Sequence, residues 1–149
     1  MKLFYFETGQ WLPRPRNEVF QFFSDAFNLE EITPPWLRFR VLTPAPIAMR
    51  EDARIEYRLR IHGVPVRWKT RIATWNRPQS FIDEQISGPY RLWIHEHRFI
   101  ERDGGTFCED SVRYAPRGGA LVNRLFVERD VRQIFAYRAE RLKEFFPER

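Results

Sequence analysis

Residues 120–146 read ALVNRLFVERDVRQIFAYRAERLKEFF, the longest helical pattern in the chain. Val127, Val131, Ile134, Phe135, Arg138, Leu142 and Phe145 fall at i, i+4, i+7, i+8, i+11, i+15 and i+18. That spacing lines them along one stripe of a helix. Arg129, Asp130, Arg132, Gln133, Glu140, Arg141 and Lys143 occupy much of the other side, and no Gly or Pro interrupts the run before Pro147. A one-sided helix must bury its stripe against another element. Almost everything upstream reads as strands, so the expected partner is a sheet that wraps the helix.

Residues 3–12 alternate as a strand, ended by Pro13 and Pro15. Residues 16–26 read as a short helix with Val19, Phe22, Phe23 and Ala26 on its apolar face, and residues 29–32 as one more turn. Thr33-Pro34-Pro35-Trp36 is a stiff corner. Strands follow over 38–43, 54–61, 66–75, 81–87, 91–101 and 106–114, and Pro116-Arg117-Gly118-Gly119 hinges into the last helix. In 54–61 Ile55, Tyr57, Leu59 and Ile61 alternate with Arg54, Glu56, Arg58 and Arg60, as in a half-buried strand. Short turns between strands imply antiparallel pairing. The expected class is α+β. A sheet of about seven strands wraps the long helix, two short helices follow the first strand, and residues 1–149 form one domain.

Two turns set expected registers. Asp103-Gly104 suits a two-residue hairpin closed by Arg102 and Gly105, which puts Phe99 opposite Cys108, His97 opposite Asp110, His95 opposite Val112 and Trp93 opposite Tyr114. Gly63-Val64, closed by His62 and Pro65, would put Ile61 opposite Val66, Leu59 opposite Trp68 and Tyr57 opposite Thr70. If Tyr57 faces the helix, so do Trp68 and Thr70, then Trp93, His95, His97 and Phe99, then Cys108, Asp110 and Tyr114. Phe81, Asp83, Gln85 and Ser87 join if Phe81 points inward.

Such an interior holds polar groups where a plain core has aliphatics. Buried polar groups need partners, and Asp110 opposite His97 supplies one pair, with Asp83 and Gln85 near enough to supply others. Four readings stay open: a satisfied network that fixes register, a polar patch that orients a ligand, a catalytic His–carboxylate pair, and a metal site. For catalysis His97 and Asp110 are the candidates, with Tyr57 or Tyr114 polarising a carbonyl. For a metal, His95 and His97 project to the same side of a strand, with Asp83 or Asp110 as a further ligand. No metal and no cofactor are expected, and GxSxG, P-loop, GxGxxG and CxxC motifs are absent. Cys108 is expected to be packing and His62 to be solvated at its turn.

The chain has 149 residues, a net charge of +5 and a single cysteine, so no internal disulfide can form. A reducing, cytoplasmic home follows as the expectation, with no apolar leader in residues 1–7 and no transmembrane-length run. Aromatic residues make up 16% of the chain, including 14 Phe and 5 Trp, which suits an aromatic-lined interior. Arg38, Arg40, Arg54, Arg58, Arg60, Arg67, Lys69 and Arg71 are expected on the outer face of three neighbouring strands, broken only by Glu56. Such a face can meet an anionic surface or RNA. No nucleic-acid motif accompanies it, and no nucleic-acid partner is expected.

Several strings carry a resemblance: Asn28-Leu29 with Thr33-Pro34-Pro35-Trp36, Gly63-Val64-Pro65-Val66-Arg67-Trp68, Phe81-Ile82-Asp83-Glu84-Gln85, Gly88-Pro89-Tyr90, and Trp93-Ile94-His95-Glu96-His97-Arg98-Phe99. Through them the chain resembles the SRPBCC superfamily (START-like, birch-pollen-allergen-like), and within it small bacterial cyclase/dehydrase relatives. The resemblance implies the helix-grip fold with a cavity for an apolar or amphipathic ligand between sheet and helix. On that basis Tyr57, Trp68, Thr70, Asp83, Gln85, Trp93, His95, His97, Phe99, Asp110, Tyr114 and Ile134 are the expected cavity residues. The expected function is carriage or sensing of such a ligand. The alternatives are a cyclase/dehydratase acting on a polyketide-like substrate through His97 with Asp110, and an anionic-surface or RNA-binding module.

Overall fold

The computed structural model describes residues 1–148. In chain order the elements are β1 (Phe4–Leu12), α1 (Arg16–Phe23), α2 (Asn28–Ile32), a 3-10 turn (Pro35–Leu37), β2 (Arg40–Val41) and β3 (Arg54–Ile61). Then come β4 (Val64–Asn76), β5 (Ser80–Ser87), β6 (Tyr90–Arg102), β7 (Gly105–Pro116), α3 (Gly119–Val122), a π turn (Asn123–Val127) and α4 (Glu128–Phe145). The seven strands form one antiparallel sheet in the order β1-β7-β6-β5-β4-β3-β2. The expected α+β class and helix-grip architecture are what the chain adopts. No helix among the described residues is long and apolar enough to cross a membrane.

The Asp103-Gly104 turn closes as read: His97 faces Asp110, His95 faces Val112, Phe99 faces Cys108 and Trp93 faces Tyr114. The other hairpin does not. Its two turn residues are His62 and Gly63, both with positive φ (49° and 79°), so Ile61 pairs with Val64, Leu59 with Val66, Tyr57 with Trp68 and Ile55 with Thr70. A left-handed pair at the turn matches the twist of the flanking strands, and Gly63 takes that conformation at no steric cost. The partner of each residue is therefore displaced by two from expectation. Because side chains alternate with period two, every one of them keeps its expected face.

Bulges cause the larger departures. Between β4 and β5 the register shifts at Lys69/Thr70 and again at Ile72/Thr74. The first turns Ser87 to the outer face opposite Lys69, where it is exposed, so Ser87 does not share the inner face of Phe81 and Asp83. The second brings Trp75 inward against Phe20, ring centroids 5.0 Å apart. Extra residues of this kind bend a strand and sharpen its twist, which suits a sheet that curls around a helix. The strand expected over 38–43 shrinks to β2, because Arg38 turns left-handed at the end of the 3-10 turn.

The helix stripe buries Val131, Phe135 and Leu142. Its last position is corrected: Phe146 is buried and Phe145 is 39% exposed, both packing on Phe22. On α1 the fully buried ring is Phe20 rather than Phe22. Phe20 meets Trp75, Phe81 and Phe99 edge-on, at the centre of a cluster that includes Leu12, Val19, Phe23, Ile72 and Leu142. Separate clusters form around Val112, Tyr114, Val131 and Phe135, and around Ala26, Ile55 and Tyr57. At the entry to α3, Gly118 has φ +91°, and a Cβ there would sit 2.4 Å from Val122 Cγ2.

Phe20→Ala should lower unfolding free energy by about 3–5 kcal/mol in urea titration. Phe145→Ala, which removes a half-exposed ring, should cost less than about 1 kcal/mol. Equal losses would contradict this placement of the core.

Candidate functional site: a polar cluster beside an aromatic cavity

The inner faces of β3 to β6 and α4 do not close on one another. They leave a cavity of about 470 Å³, within the size range of small-molecule sites. Tyr57, Trp68, Thr70, Asp83, Trp93, His95, His97 and Ile134 all line it. Trp68, Tyr90 and Trp93 form one aromatic wall, with centroid separations of 4.9 to 5.6 Å. The exposed lining residues Trp36, His62, Gly63 and Gln133 place its opening along the gap between α4 and the β3–β4 side of the sheet. His62 is more than a solvated turn residue: its Nε2 lies 2.8 Å from Asp130 Oδ2 on α4, bridging this gap.

Four residues expected at the cavity lie elsewhere. Gln85 folds back on its own turn, its Nε2 donating to Tyr90 O (2.8 Å) and its Oε1 accepting from Tyr90 N (3.1 Å). Tyr114 is buried with its hydroxyl donating to Asn123 Oδ1 (2.8 Å), tying β7 to the π turn. Phe99 packs in the Phe20 cluster, and Asp110 borders a separate water-sized space of about 30 Å³ against β1 and α4. In each case an inward direction was legible, but position along the strand decides between cavity and core. Sequence reasoning missed Phe23, Phe39, Met49, Tyr90 and Arg138 as lining residues. Phe39 and Met49 lie in irregular chain with no period to read. Arg138 carried a signal, as the one charge in an apolar stripe.

The inner polar cluster is a quartet with crossed partners. His97 Nε2 is 2.6 Å from Asp83 Oδ2, and His95 Nε2 is 2.7 Å from Asp110 Oδ1. The pairing expected from register, His97 with Asp110, is the longer contact at 3.5 Å from Nδ1 to Oδ1. Facing positions on neighbouring strands fix the backbone, and the side chains then reach diagonally. The two imidazoles stack at 3.6 Å, and Phe81 stacks on His97 at 4.1 Å. Burial holds His97 neutral, with the neighbouring His95 adding to the effect. Its pKa falls to about 4 despite the hydrogen bond and charge of Asp83 and the charge of Asp110. Burial alone would raise both aspartates, but the hydrogen bonds and charges of the histidines, with Arg138, outweigh it. Asp83 ends below the usual carboxylate value and Asp110 falls to about 2.

This chemistry permits an oriented neutral imidazole beside a carboxylate on a cavity wall. Donor atoms of Asp83, His95 and His97 also lie within 4.8 Å of one another, a spacing open to a cation. Each Nε2, however, is already turned to a carboxylate, and the Arg138 guanidinium stands 3.8 Å from Asp110. Cys108 offers no nucleophile: burial pushes its thiol up to about 12, with the Asp110 charge adding to it.

The outer basic face is less uniform than its sequence. Arg40 lies opposite Arg58, and Arg58 opposite Arg67. Besides Glu56, which takes Arg67 at 3.0 Å, Glu84 takes Arg71 at 2.6 Å, and Asp52 lies 3.4 Å from Arg71 and 3.9 Å from Arg54.

The family described as "Polyketide cyclase / dehydrase and lipid transport" matches residues 12–143. No curated protein matches the sequence. Among solved structures, protein CV1439 from Chromobacterium violaceum is similar with a TM-score of 0.76 at 11% identity, over 97% of this chain and 99% of that one. Ginseng major latex-like protein 151 from Panax ginseng gives 0.72 at 8% identity, over 98% and 99%. Protein Ms6760 from Mycobacterium smegmatis gives 0.71 at 17% identity, over 95% and 89%. At these identities the likeness concerns the fold.

A His whose folded pKa lies below its unfolded value loses stability as pH falls, because the unfolded chain takes up the proton first. For His97 the window runs from 6.5 down to about 4, and for Asp110 from 3.8 down to about 2. The urea midpoint of the protein should therefore fall between pH 7 and pH 4.5. His97→Gln should flatten that limb and leave the steeper loss below pH 4. A midpoint constant from pH 7 to pH 4.5 would refute a neutral His97.

Proposed function

The chain belongs to the polyketide cyclase/dehydrase and lipid transport family, and from that premise we propose that it binds a small hydrophobic or amphipathic ligand between sheet and α4, for carriage or sensing. One observation carries the reading: a cavity of about 470 Å³ bounded by Trp68, Tyr90, Trp93, Phe135 and Ile134, with Asp83, His95 and His97 on one wall. A protein interior packs to the density of an organic crystal, and a space this large is not a packing defect. Burial against the rings supplies affinity, and the polar wall gives the ligand a direction.

A second reading is favoured by a specific feature. Neutral His97, held by Asp83 on the cavity wall, has the orientation of a general base paired with a carboxylate. This moves the cyclase/dehydratase alternative from His97 with Asp110 to His97 with Asp83. The two readings share one site and differ in turnover.

Native mass spectrometry after mild purification should show a ligand-bound species. Ile134→Trp, which fills the cavity from α4, should abolish it while leaving the melting temperature within a few degrees of the parent. A ligand-free spectrum, with no uptake of an added apolar dye, would remove the carrier reading.

A further inference from the structure

The long helical run begins with apolar side chains turned to solvent. Leu121, Leu125 and Phe126 are 65%, 52% and 54% exposed, while further along α4 the exposed residues include Arg129, Arg132, Gln133, Glu140 and Lys143. A buried polar contact holds this arrangement. The Tyr114 hydroxyl donates to Asn123 Oδ1 at 2.8 Å, so Asn123 takes the inward position beside the exposed leucines. Rolling the helix to bury Leu125 would break that bond and strand both polar groups in the interior. At the β3–β4 turn Val64 is 60% exposed, and His62 of the same turn sets its ring against Phe126, centroids 6.5 Å apart. His62 and Gly63 also line the cavity, so the apolar patch borders the cavity mouth.

Large apolar side chains exposed together on a protein surface mark a contact site. Charge identifies the occupant. From Ser111 to Val127 the chain carries Arg113, Arg117 and Arg124 and no acid. Arg117 donates one N–H to Gly88 O at 3.3 Å and keeps its charge, and Arg124 makes no ion pair with a described residue. The acids that follow are taken: Glu128 by Arg132 at 3.0 Å, and Asp130 by His62 at 2.8 Å. A symmetric pair of chains joined at this patch would set its arginines against one another. Apolar side chains flanked by cations suit the interface of an anionic bilayer, where the apolar groups enter the headgroup boundary and the cations meet lipid charge. We propose that residues 117–126 and the β3–β4 turn dock the protein on an anionic membrane surface, with the cavity mouth turned toward the bilayer.

Co-sedimentation of the full chain with lipid vesicles tests this surface. The protein should bind vesicles of equal parts phosphatidylserine and phosphatidylcholine, and bind pure phosphatidylcholine about tenfold less. Leu121→Ser with Leu125→Ser, both at exposed positions where the fold tolerates change, should lower binding about tenfold. Arg124→Glu should lower it by a similar factor. In a Leu125→Cys variant labelled with an environment-sensitive fluorophore, emission should shift to the blue on anionic vesicles, while the buried Cys108 stays unlabelled. No binding at low salt, or an unshifted emission from bound protein, overturns the docking surface. So does binding that falls with Arg58→Glu and Arg60→Glu but survives Leu121→Ser with Leu125→Ser, which would assign it to the outer sheet face. A dimer in sedimentation velocity that the two leucine substitutions dissolve, with no vesicle binding, overturns it in favour of a second copy. Dye uptake by the cavity without vesicle binding overturns it and leaves the carrier reading standing.

Discussion

A helix with an apolar stripe on one side and charges on the other cannot bury itself, and this constraint organises the molecule. Val131, Phe135 and Leu142 need a concave apolar surface, and only a sheet bent around α4 offers one. The bends come from bulges between β4 and β5. The short α1 closes one end, its Phe20 packed among Trp75, Phe81 and Phe99. What the helix and sheet cannot fill between these contacts remains as the cavity.

The quartet of Asp83, His95, His97 and Asp110 answers a second constraint. Strands that carry polar side chains inward must pair them or lose the free energy of desolvating them. Crossed pairing lets two adjacent histidines on β6 reach one carboxylate on each neighbouring strand, so three strands are joined across the sheet. The same contacts hold the imidazole of His97 at the cavity wall in one orientation. The network that joins the strands and the polar wall of the cavity therefore share atoms.

Much of this was legible from residue order. Alternation gave the inner faces, the Asp103-Gly104 turn gave the β6–β7 register, and the stripe at residues 127–145 gave the helix that the sheet wraps. The β3–β4 hairpin shows why a wrong turn can leave a right face: an error of two positions is invisible to a period of two. Bulges have no such protection, which is why Ser87 was placed inside. Side-chain partners were the least accessible, since His97 had two carboxylates within reach and only rotamers choose between them. Gln85 and Tyr114 point inward as their strands require, yet spend their polar ends on local backbone and on Asn123. Distance along the strand, which alternation does not encode, separates them from Tyr57 and Trp68.

The division of the core into separate clusters has an evolutionary consequence. The buried residues gather around Phe20, around Val112 and Val131, and around Ile55 and Tyr57, while several cavity walls, among them Trp68, Tyr90 and Ile134, lie outside the buried set. A substitution at such a wall draws little on the reserve that keeps the chain folded. Lineages built on this plan can reshape the cavity at these walls by small steps, without passing through a chain that fails to fold.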